Sequence, residues 1–185
     1  MAEQSMTDGI SFEATLPLGW VAEDVVSQAQ AEMRSNTNAA LLRALASLEV
    51  QSAEHEGDKQ DVLQKALERV ESKLDLVLVM LAGGVQGSSL MPAEKPVTLY
   101  PHAARWMESS ATLPQPGQRI LLSIYLSARL PQPLLLSAEV KTVETGNEKN
   151  VVTVIFSALD EVSEEWLTRT IFRYHRRALQ ARRQP

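Results

Sequence analysis

Arginines spaced four residues apart near the end of the chain are the first groups with the chemistry to bind a ligand. Arg169 and Arg173 form an Arg-x-x-x-Arg pair, and Arg173 and Arg177 repeat it. Guanidinium forks of this kind bind phosphate or carboxylate oxygens. Residues 164–185 hold six arginines against two glutamates in a chain whose net charge is -5. Four-residue spacing also marks one face of a helix, so a solvated arginine face explains the pattern more simply than a ligand site.

Catalytic chemistry finds no support elsewhere in the sequence. The three histidines, at positions 55, 102 and 175, are far apart and lack metal-ligand spacing. There is no cysteine, which excludes thiol catalysis and thiolate metal sites. The close carboxylates Asp58 and Asp61, like Glu68 and Glu71, lie at polar positions of a predicted helix, where solvated charge is usual. We therefore predict no catalytic residue, no cofactor and no metal, and a protein that is not an enzyme.

Composition indicates a globular protein of the cytoplasm. Hydrophobic residues make up 44% of the 185 positions, enough for a core. The first nine residues lack the basic and apolar regions of a secretory signal. The longest apolar run, residues 76–85, is about half the roughly 20 residues that cross a bilayer. Together with the lack of cysteine, this favours a reducing cytoplasm.

The most regular pattern in the chain is a row of apolar residues at 4-3-4-3-4 spacing, here called the heptad row. It consists of Leu63, Leu67, Val70, Leu74, Val77 and Leu81. Leucine at the a positions with valine among the d positions favours three or four strands over two, so we predict a homotetramer assembled through helices. The alternative is that this helix packs only on its own domain.

A second, less regular helix is predicted before the heptad row, from about Val21 to Val50. The turn His55–Lys59 would separate the two helices, because it contains a glycine. The expected apolar face of the first helix comprises Ala22, Val26, Ala29, Met33, Asn36 and Ala40, followed by Leu41, Leu45 and Leu48.

The remainder of the chain has the alternation of antiparallel β-strands. Residues 119–127 place Ile120, Leu122, Ile124 and Leu126 on one face, and the next strand repeats this with Leu134, Leu136, Ala138 and Val140. Further strands are predicted at 97–100, 103–108 and 151–156, paired consecutively. A first strand within 9–20 is expected to end at Leu16–Gly19. A final helix is expected to begin near Ser163, as its cap, with Leu167, Ile171, Tyr174 and Ala178 on its apolar face.

The β segment resembles the C-terminal two-thirds of a PilZ domain. The stretches that carry the resemblance are VTLYPHAARWMES, LPQPGQRILLSIYL, LLLSAEVKTV, VVTVIFSAL and LTRTIFRYHRR, with ISFEATLPLGW as the first barrel strand. The resemblance implies an α+β fold: a small antiparallel six-stranded β-barrel with a C-terminal helix and a two-helix coiled-coil insertion. Residues 1–20 would be the first strand, 21–82 the inserted helices, 83–96 a linker, 97–160 the main barrel and 161–185 the basic amphipathic helix.

PilZ domains bind cyclic di-GMP through an Arg-x-x-x-Arg loop and an Asp/Asn-x-Ser-x-x-Gly turn, and this chain departs from both motifs. Tyr100 stands in place of the serine and Ala103 in place of the glycine, and no arginine lies between Arg69 and Arg105. The expected function is a noncatalytic bacterial signalling adaptor that contacts an unidentified protein partner, with neither cyclic di-GMP nor nucleic acid expected to bind. Two alternatives stay open. One is a cyclic di-GMP receptor with a rebuilt pocket that uses His102, Arg105, Arg169 or Arg173, and the other is a nucleic-acid or membrane-surface binder that uses the final helix.

Overall fold

The computed structural model describes residues 9–50, 66–67, 70, 74, 77, 91–110, 112–127, 130, 132–146, 149–157 and 159–183. Within them, six antiparallel strands form a closed barrel in the order β1-β2-β3-β6-β5-β4. The strands are β1 (Phe12–Ala22), β2 (Glu94–Leu99), β3 (Ala103–Glu108), β4 (Arg119–Ile124), β5 (Leu134–Thr145) and β6 (Asn150–Phe156). Two helices accompany them, α1 (Gln28–Val50) and α2 (Glu161–Arg183). The predicted six-stranded antiparallel barrel with a C-terminal helix is confirmed.

Strand pairing differs from the predicted consecutive order. β3 pairs with β6 along its whole length, from Ala103 opposite Ile155 to Glu108 opposite Asn150, and β4 pairs with β1. β2 begins at Glu94, inside the segment predicted to be a linker, and β4 ends at Ile124 rather than Ser127. The closed barrel explains this order, because every strand needs two neighbours and β1 must join the sheet on both sides.

The first strand does not end at Leu16–Gly19, as the sequence suggested, but continues to Ala22. Residues 12–17 pair with β2 and residues 18–22 pair with β4, so Pro17 lies where the strand changes its partner. The missing N–H of proline is tolerated at the end of a ladder. The carbonyl of Pro17 still accepts a hydrogen bond from the Tyr125 amide at 3.1 Å. β1 thereby closes the barrel.

The alternating residues of β4 and β5 point into the barrel, as predicted. Ile120, Leu122, Ile124, Leu134, Leu136, Ala138 and Val140 are all buried, and Trp106 of β3 lies among the largest fully buried side chains. Leu41, Leu42 and Leu45 of α1 and Leu167 and Ile171 of α2 extend this core outside the barrel. The helices are therefore packed against the barrel through their middle turns.

Helix α1 begins at Gln28, seven residues after the predicted start. Ser27 and Gln30 form a reciprocal capping box: Ser27 Oγ accepts from the Gln30 amide at 3.3 Å, and Gln30 Oε1 accepts from the Ser27 amide at 3.2 Å. The N-terminal part of the predicted apolar face was wrong, since Met33 and Asn36 are exposed. That half of the helix instead contacts the rest of the chain through polar residues, Arg34, Ser35 and Asn38.

Helix α2 begins at Glu161, and its cap is Asp160 rather than the predicted Ser163. Asp160 Oδ1 accepts a hydrogen bond from the Ser163 amide at 2.9 Å, which places Ser163 one turn inside the helix, where it is buried. Asp160 Oδ2 also accepts from the hydroxyl of Ser35 in α1. Burial alone would raise the pKa of Asp160, but hydrogen bonds from Ser35 and Ser163 outweigh it and hold that pKa below its usual value.

Asn38 joins α1 to the barrel at a strand edge that has no neighbouring strand. β6 pairs with β5 only as far as Ala138, so the backbone of Leu135 lies beyond the ladder. The Asn38 amide Nδ2 donates to the Leu135 carbonyl at 2.7 Å, and its Oδ1 accepts from the Leu135 amide at 2.9 Å. A buried side chain therefore completes the hydrogen bonds that β6 does not reach.

Candidate functional site

Four members of the heptad row fall among the described residues, and all four are helical. Leu67, Val70, Leu74 and Val77 are exposed by 59%, 53%, 56% and 49% in the single chain. Leu63 and Leu81, like the turn at 55–59 and the linker residues 83–90, lie outside the described residues. Large apolar side chains at 3-4-3 helical spacing with half their surface in water can gain burial by meeting another apolar surface, at about 25 cal/mol per Å².

The turn between β2 and β3 contains Tyr100 and His102, in the stretch that the resemblance set against the PilZ turn motif. It is closed by a hydrogen bond from the Tyr100 amide to the Ala103 carbonyl at 2.9 Å, and the Phe156 amide donates to the His102 carbonyl at 2.8 Å. The exposed His102 ring lies 3.9 Å from the carboxylate of Glu164, in the first turn of α2. The described neighbour of this turn is thus acidic, which disfavours an anionic ligand.

The structure separates the four residues proposed for a rebuilt ligand pocket. His102 faces Glu164, and Arg105 lies on the outer wall of the barrel, where its Nη2 is 3.4 Å from Glu144 Oε2. Only Arg169 and Arg173 are brought together, on one side of α2. The four side chains therefore do not converge on a single pocket.

Arg169 and Arg173 border a cleft of about 520 Å³, here called the arginine cleft. Its lining residues are Ile10, Ala46, Trp166, Thr168, Arg169, Phe172 and Arg173. The guanidinium of Arg169 lies 5.5 Å from the centre of the Trp166 ring, and that of Arg43 lies 5.8 Å from it. The cleft is shallow and open to solvent.

A buried carboxylate, Glu108, lies at the centre of a polar cluster. Glu108 Oε2 accepts from Lys95 Nζ at 2.6 Å and from the indole N–H groups of Trp20 and Trp106 at 3.3 Å each, while Oε1 accepts from the Ser110 amide at 3.1 Å. Burial alone would raise the pKa of Glu108, but the bonds from Lys95, Ser110 and Trp106 outweigh it and lower that pKa. Both carboxylate oxygens of Glu108 accept hydrogen bonds from protein groups, so the cluster has a structural role.

The sequence contained a signal for this cluster that the pattern analysis missed. Ala104, Trp106 and Glu108 alternate along β3, and all three are buried. A glutamate on the inward face of a strand must have partners, because an unpaired buried carboxylate is strongly destabilising. Lys95 and Trp20 supply them from positions 13 and 88 residues away.

The described ranges lack the groupings typical of a metal site or a membrane span. No group of three or more histidine, aspartate or glutamate side chains there could hold a metal ion. Among the same residues, no helix combines the length and apolarity needed to cross a membrane.

His175, the histidine of α2, forms a 2.8 Å hydrogen bond between Nδ1 and the Ser11 carbonyl and so fastens the helix to the start of β1.

Comparison with known proteins identifies a family and shows similarity to solved structures. Residues 42–184 match the family described as atypical PilZ domain, cyclic di-GMP receptor. The chain is also similar to a crystal structure of a pathogenic protein from Xanthomonas campestris, described as a new tetrameric PilZ domain self-assembled via an unusual helical bundle. That similarity has a TM-score of 0.69 at 25% identity and covers 97% of this chain and 95% of the other. No curated protein gives a significant match.

Proposed function

The chain belongs to the atypical PilZ domain family, and from that membership we propose that it is a noncatalytic bacterial signalling adaptor of the cytoplasm. In this proposal it assembles into a homotetramer through the heptad row and acts by contacting other proteins. The observation that carries the proposal is the exposure of Leu67, Val70, Leu74 and Val77 on helical backbone of the single chain.

Residue types and spacing support assembly rather than a solitary surface helix. Isolated exposed leucines are common on protein surfaces, but four large apolar residues at 3-4-3 spacing make a continuous stripe. Leucine at 67 and 74 with valine at 70 and 77 is the arrangement that favours bundles larger than a dimer. The Xanthomonas campestris protein, similar over almost the whole chain, is described as a tetramer built through a helical bundle. Four linked copies would strengthen weak contacts with a partner by avidity.

The polar chemistry of the described residues supports a noncatalytic role. Glu108 and Asp160, the carboxylates most committed to hydrogen bonds, have their pKa values lowered and each stabilise a structural junction. A carboxyl group that acts as a general acid needs a raised pKa, since it must carry a proton near neutral pH.

The β2–β3 turn supports the proposal that cyclic di-GMP does not bind in the family's usual way. Tyr100 and Ala103 occupy the positions of the small residues that let backbone approach a ligand, and Glu164 stands beside His102. A bulky ring and a carboxylate both oppose a dinucleotide that carries two phosphates.

The test of assembly is the double substitution Leu74→Asp with Val77→Asp. Two carboxylates in the stripe cannot be buried without partners, so the mass measured by light scattering should fall from four chains to one. The circular dichroism of the β-barrel should be unchanged. Val25→Asp with Met33→Asp is the matched control, since it adds the same charges at apolar positions that are exposed by 90% and 70% outside the heptad row.

The control variant should keep the mass of the wild-type protein. A tetramer that persists in the Leu74→Asp, Val77→Asp variant would contradict assembly through the heptad row. A wild-type protein that is monomeric at micromolar concentration would contradict assembly altogether.

A cyclic di-GMP receptor with a rebuilt pocket is the second candidate, favoured by the placement of Arg169 and Arg173 at one cleft and by the description of the family. Isothermal titration calorimetry with cyclic di-GMP tests it. Micromolar binding that Arg173→Ala abolishes, and that Arg105→Ala on the outer wall leaves intact, would establish this receptor. Our first proposal expects no binding to any of the three proteins.

A further inference from the structure

The arginine cleft combines an apolar floor with a basic rim. Ile10, Ala46 and Phe172 provide the apolar surface, and Phe172 and Ile10 are exposed by 48% and 40% in the single chain. A phenylalanine with half of its surface in water, beside a concave apolar wall, leaves burial to be gained by an occupant.

The charged groups around this floor are mostly cationic. Arg169 and Arg173 line the cleft, and Arg43 of α1 reaches the Trp166 ring from the neighbouring helix. Among the described residues, Glu165 pairs with Arg169 at 2.6 Å from Nη2, and both partners of this pair are more than half exposed. Exposed ion pairs of this kind contribute little stability, so an incoming carboxylate can replace Glu165 at small cost. Arg173 Nη2 donates to Thr170 Oγ1 at 3.0 Å within the same helix.

The neutral polar chemistry of the cleft is sparse. Thr168 is the one neutral polar side chain among its described lining residues, whereas recognition of a nucleobase needs several donors and acceptors along the base edge. Two guanidinium groups already lie within 6 Å of the centre of the Trp166 ring. They leave less of the ring surface for a nucleobase to stack on. The cleft is better suited to an apolar side chain flanked by carboxylates than to a nucleotide.

We propose that the arginine cleft is the partner-binding surface of this protein and takes an acidic segment of another protein. An apolar side chain of that segment packs on Ile10 and Phe172, and neighbouring Asp or Glu residues pair with Arg169 and Arg173. Charge complementarity identifies the occupant: the chain carries -5 overall, yet this face is basic, which directs an acidic segment to it. The inference rests on the proposed adaptor function and names the chemistry of the partner.

The experiment uses the full chain and three fluorescently labelled hexapeptides in an anisotropy titration. The first is Asp-Glu-Leu-Phe-Glu-Asp, the second replaces the central Leu-Phe by Ser-Ser, and the third replaces the acidic residues by lysine. The acidic apolar peptide should bind more tightly than either control, and its affinity should fall as salt is raised. Arg173→Gln and Phe172→Ser should each weaken it by about tenfold, since each removes one of the two kinds of contact.

The matched control variant is Arg105→Gln, which removes an exposed arginine paired with Glu144 on the barrel wall and should leave the affinity unchanged. Circular dichroism of every variant checks that the fold is intact. No binding of the acidic apolar peptide at millimolar concentration, or equal binding of the lysine peptide, overturns the inference.

Two further outcomes would overturn it in favour of another ligand class. One is cyclic di-GMP binding that Arg173→Gln abolishes while the peptide does not bind, and the other is capture by anionic phospholipid vesicles that depends on Arg173 while the peptide does not bind. Light scattering on the same samples keeps the two proposals distinct. A tetramer that binds no peptide rejects the acidic segment alone, and a monomer that binds it rejects assembly alone.

Discussion

The barrel interior and the heptad row use the same kinds of residue and bury them to very different extents. Leu122, Ile124 and Leu136 are essentially inaccessible to solvent, whereas Leu74 and Val77 keep about half of their surface exposed. A closed sheet has an inside, so alternation along a strand is enough to bury every second side chain within one chain. A helix has only a stripe, and the stripe is buried when a second surface covers it.

The polar groups show the same contrast. Glu108 has all its partners inside the chain and a lowered pKa, while Arg169 relies on an exposed pair with Glu165. Regions whose contacts are complete within the chain determine the stability of the fold. Regions whose contacts are incomplete are where other molecules are expected to bind.

The largest expected effect separates the two regions directly. Leu122→Ala should lower the free energy of unfolding by about 2–5 kcal/mol, because it leaves a cavity inside the barrel, and this cost should not depend on protein concentration. Leu74→Ala should instead lower the free energy of unfolding only to the extent that assembly stabilises the chain. When the protein is diluted about a hundredfold, this loss of stability should become smaller. Urea denaturation followed by tryptophan fluorescence at two concentrations measures both. A Leu74→Ala cost that is the same at both concentrations would place that residue in an intrachain core.

Glu108→Gln should give the next largest effect, a loss of about 3 kcal/mol near neutral pH. The substitution leaves the largely buried ammonium of Lys95 without its counter-charge. Glu139→Gln is the matched control, because Glu139 also pairs with a lysine, Lys141, but both side chains are about 40% exposed, and the substitution should have a much smaller effect on stability. Thermal and urea unfolding of the two variants test the difference, and equal costs would refute the role given to burial.

The cost of Glu108→Gln should also depend on pH in a definite direction. The folded protein lowers the pKa of Glu108 from 4.5, so the carboxylate stabilises the fold above the pKa of the unfolded chain. This contribution is lost as pH falls through the lower pKa of the folded state. The wild-type and variant curves of unfolding free energy against pH should therefore converge on the acid side of about 4.5. Parallel curves down to pH 2 would show that Glu108 does not titrate with folding.

Asn38→Ala should produce the smallest of the three effects, about 1–3 kcal/mol. It leaves the amide and carbonyl of Leu135 without the partner that replaces β6 at this edge. Asn36→Ala, two residues earlier on α1 and exposed, should change stability by less than about 0.5 kcal/mol. Hydrogen exchange of the Leu135 amide is the sharper readout, since it should accelerate in the first variant only.

Local periodicity made the barrel wall and the exposed helical stripe predictable from the sequence. The alternation of β4 and β5 fixed which residues are buried, and the 3-4-3 spacing of Leu67, Val70, Leu74 and Val77 identified a helical apolar face. Each pattern spans only a few residues, and the side-chain directions of strands and helices follow from backbone geometry alone. The order of charges along α2, acidic at its start and arginine-rich toward its end, was equally local.

Features that join distant parts of the chain were beyond the reach of such patterns. The hydrogen bond of Asp160 with Ser35 joins residues 125 positions apart, whereas the Asp160 cap on the Ser163 amide is a local signal that the sequence prediction missed. The apolar face predicted for the first half of α1 was wrong because that half contacts the rest of the chain through Arg34, Ser35 and Asn38, which are polar. The prediction for α1 used neighbouring residues alone, whereas contacts with distant parts of the chain determined the observed structure.

The sequence by itself determined the class of fold and the presence of an apolar helical row, because strand and helix periods are written into consecutive residues. Tertiary structure alone decided that β3 pairs with β6, that β1 continues past Pro17 and that Glu108 joins Lys95 with two tryptophans. It also brought Ile10 and Ala46 to the arginines of α2. The physical reason is that a contact between residues far apart in the chain depends on how the whole barrel closes, and no spacing of neighbouring residues records it.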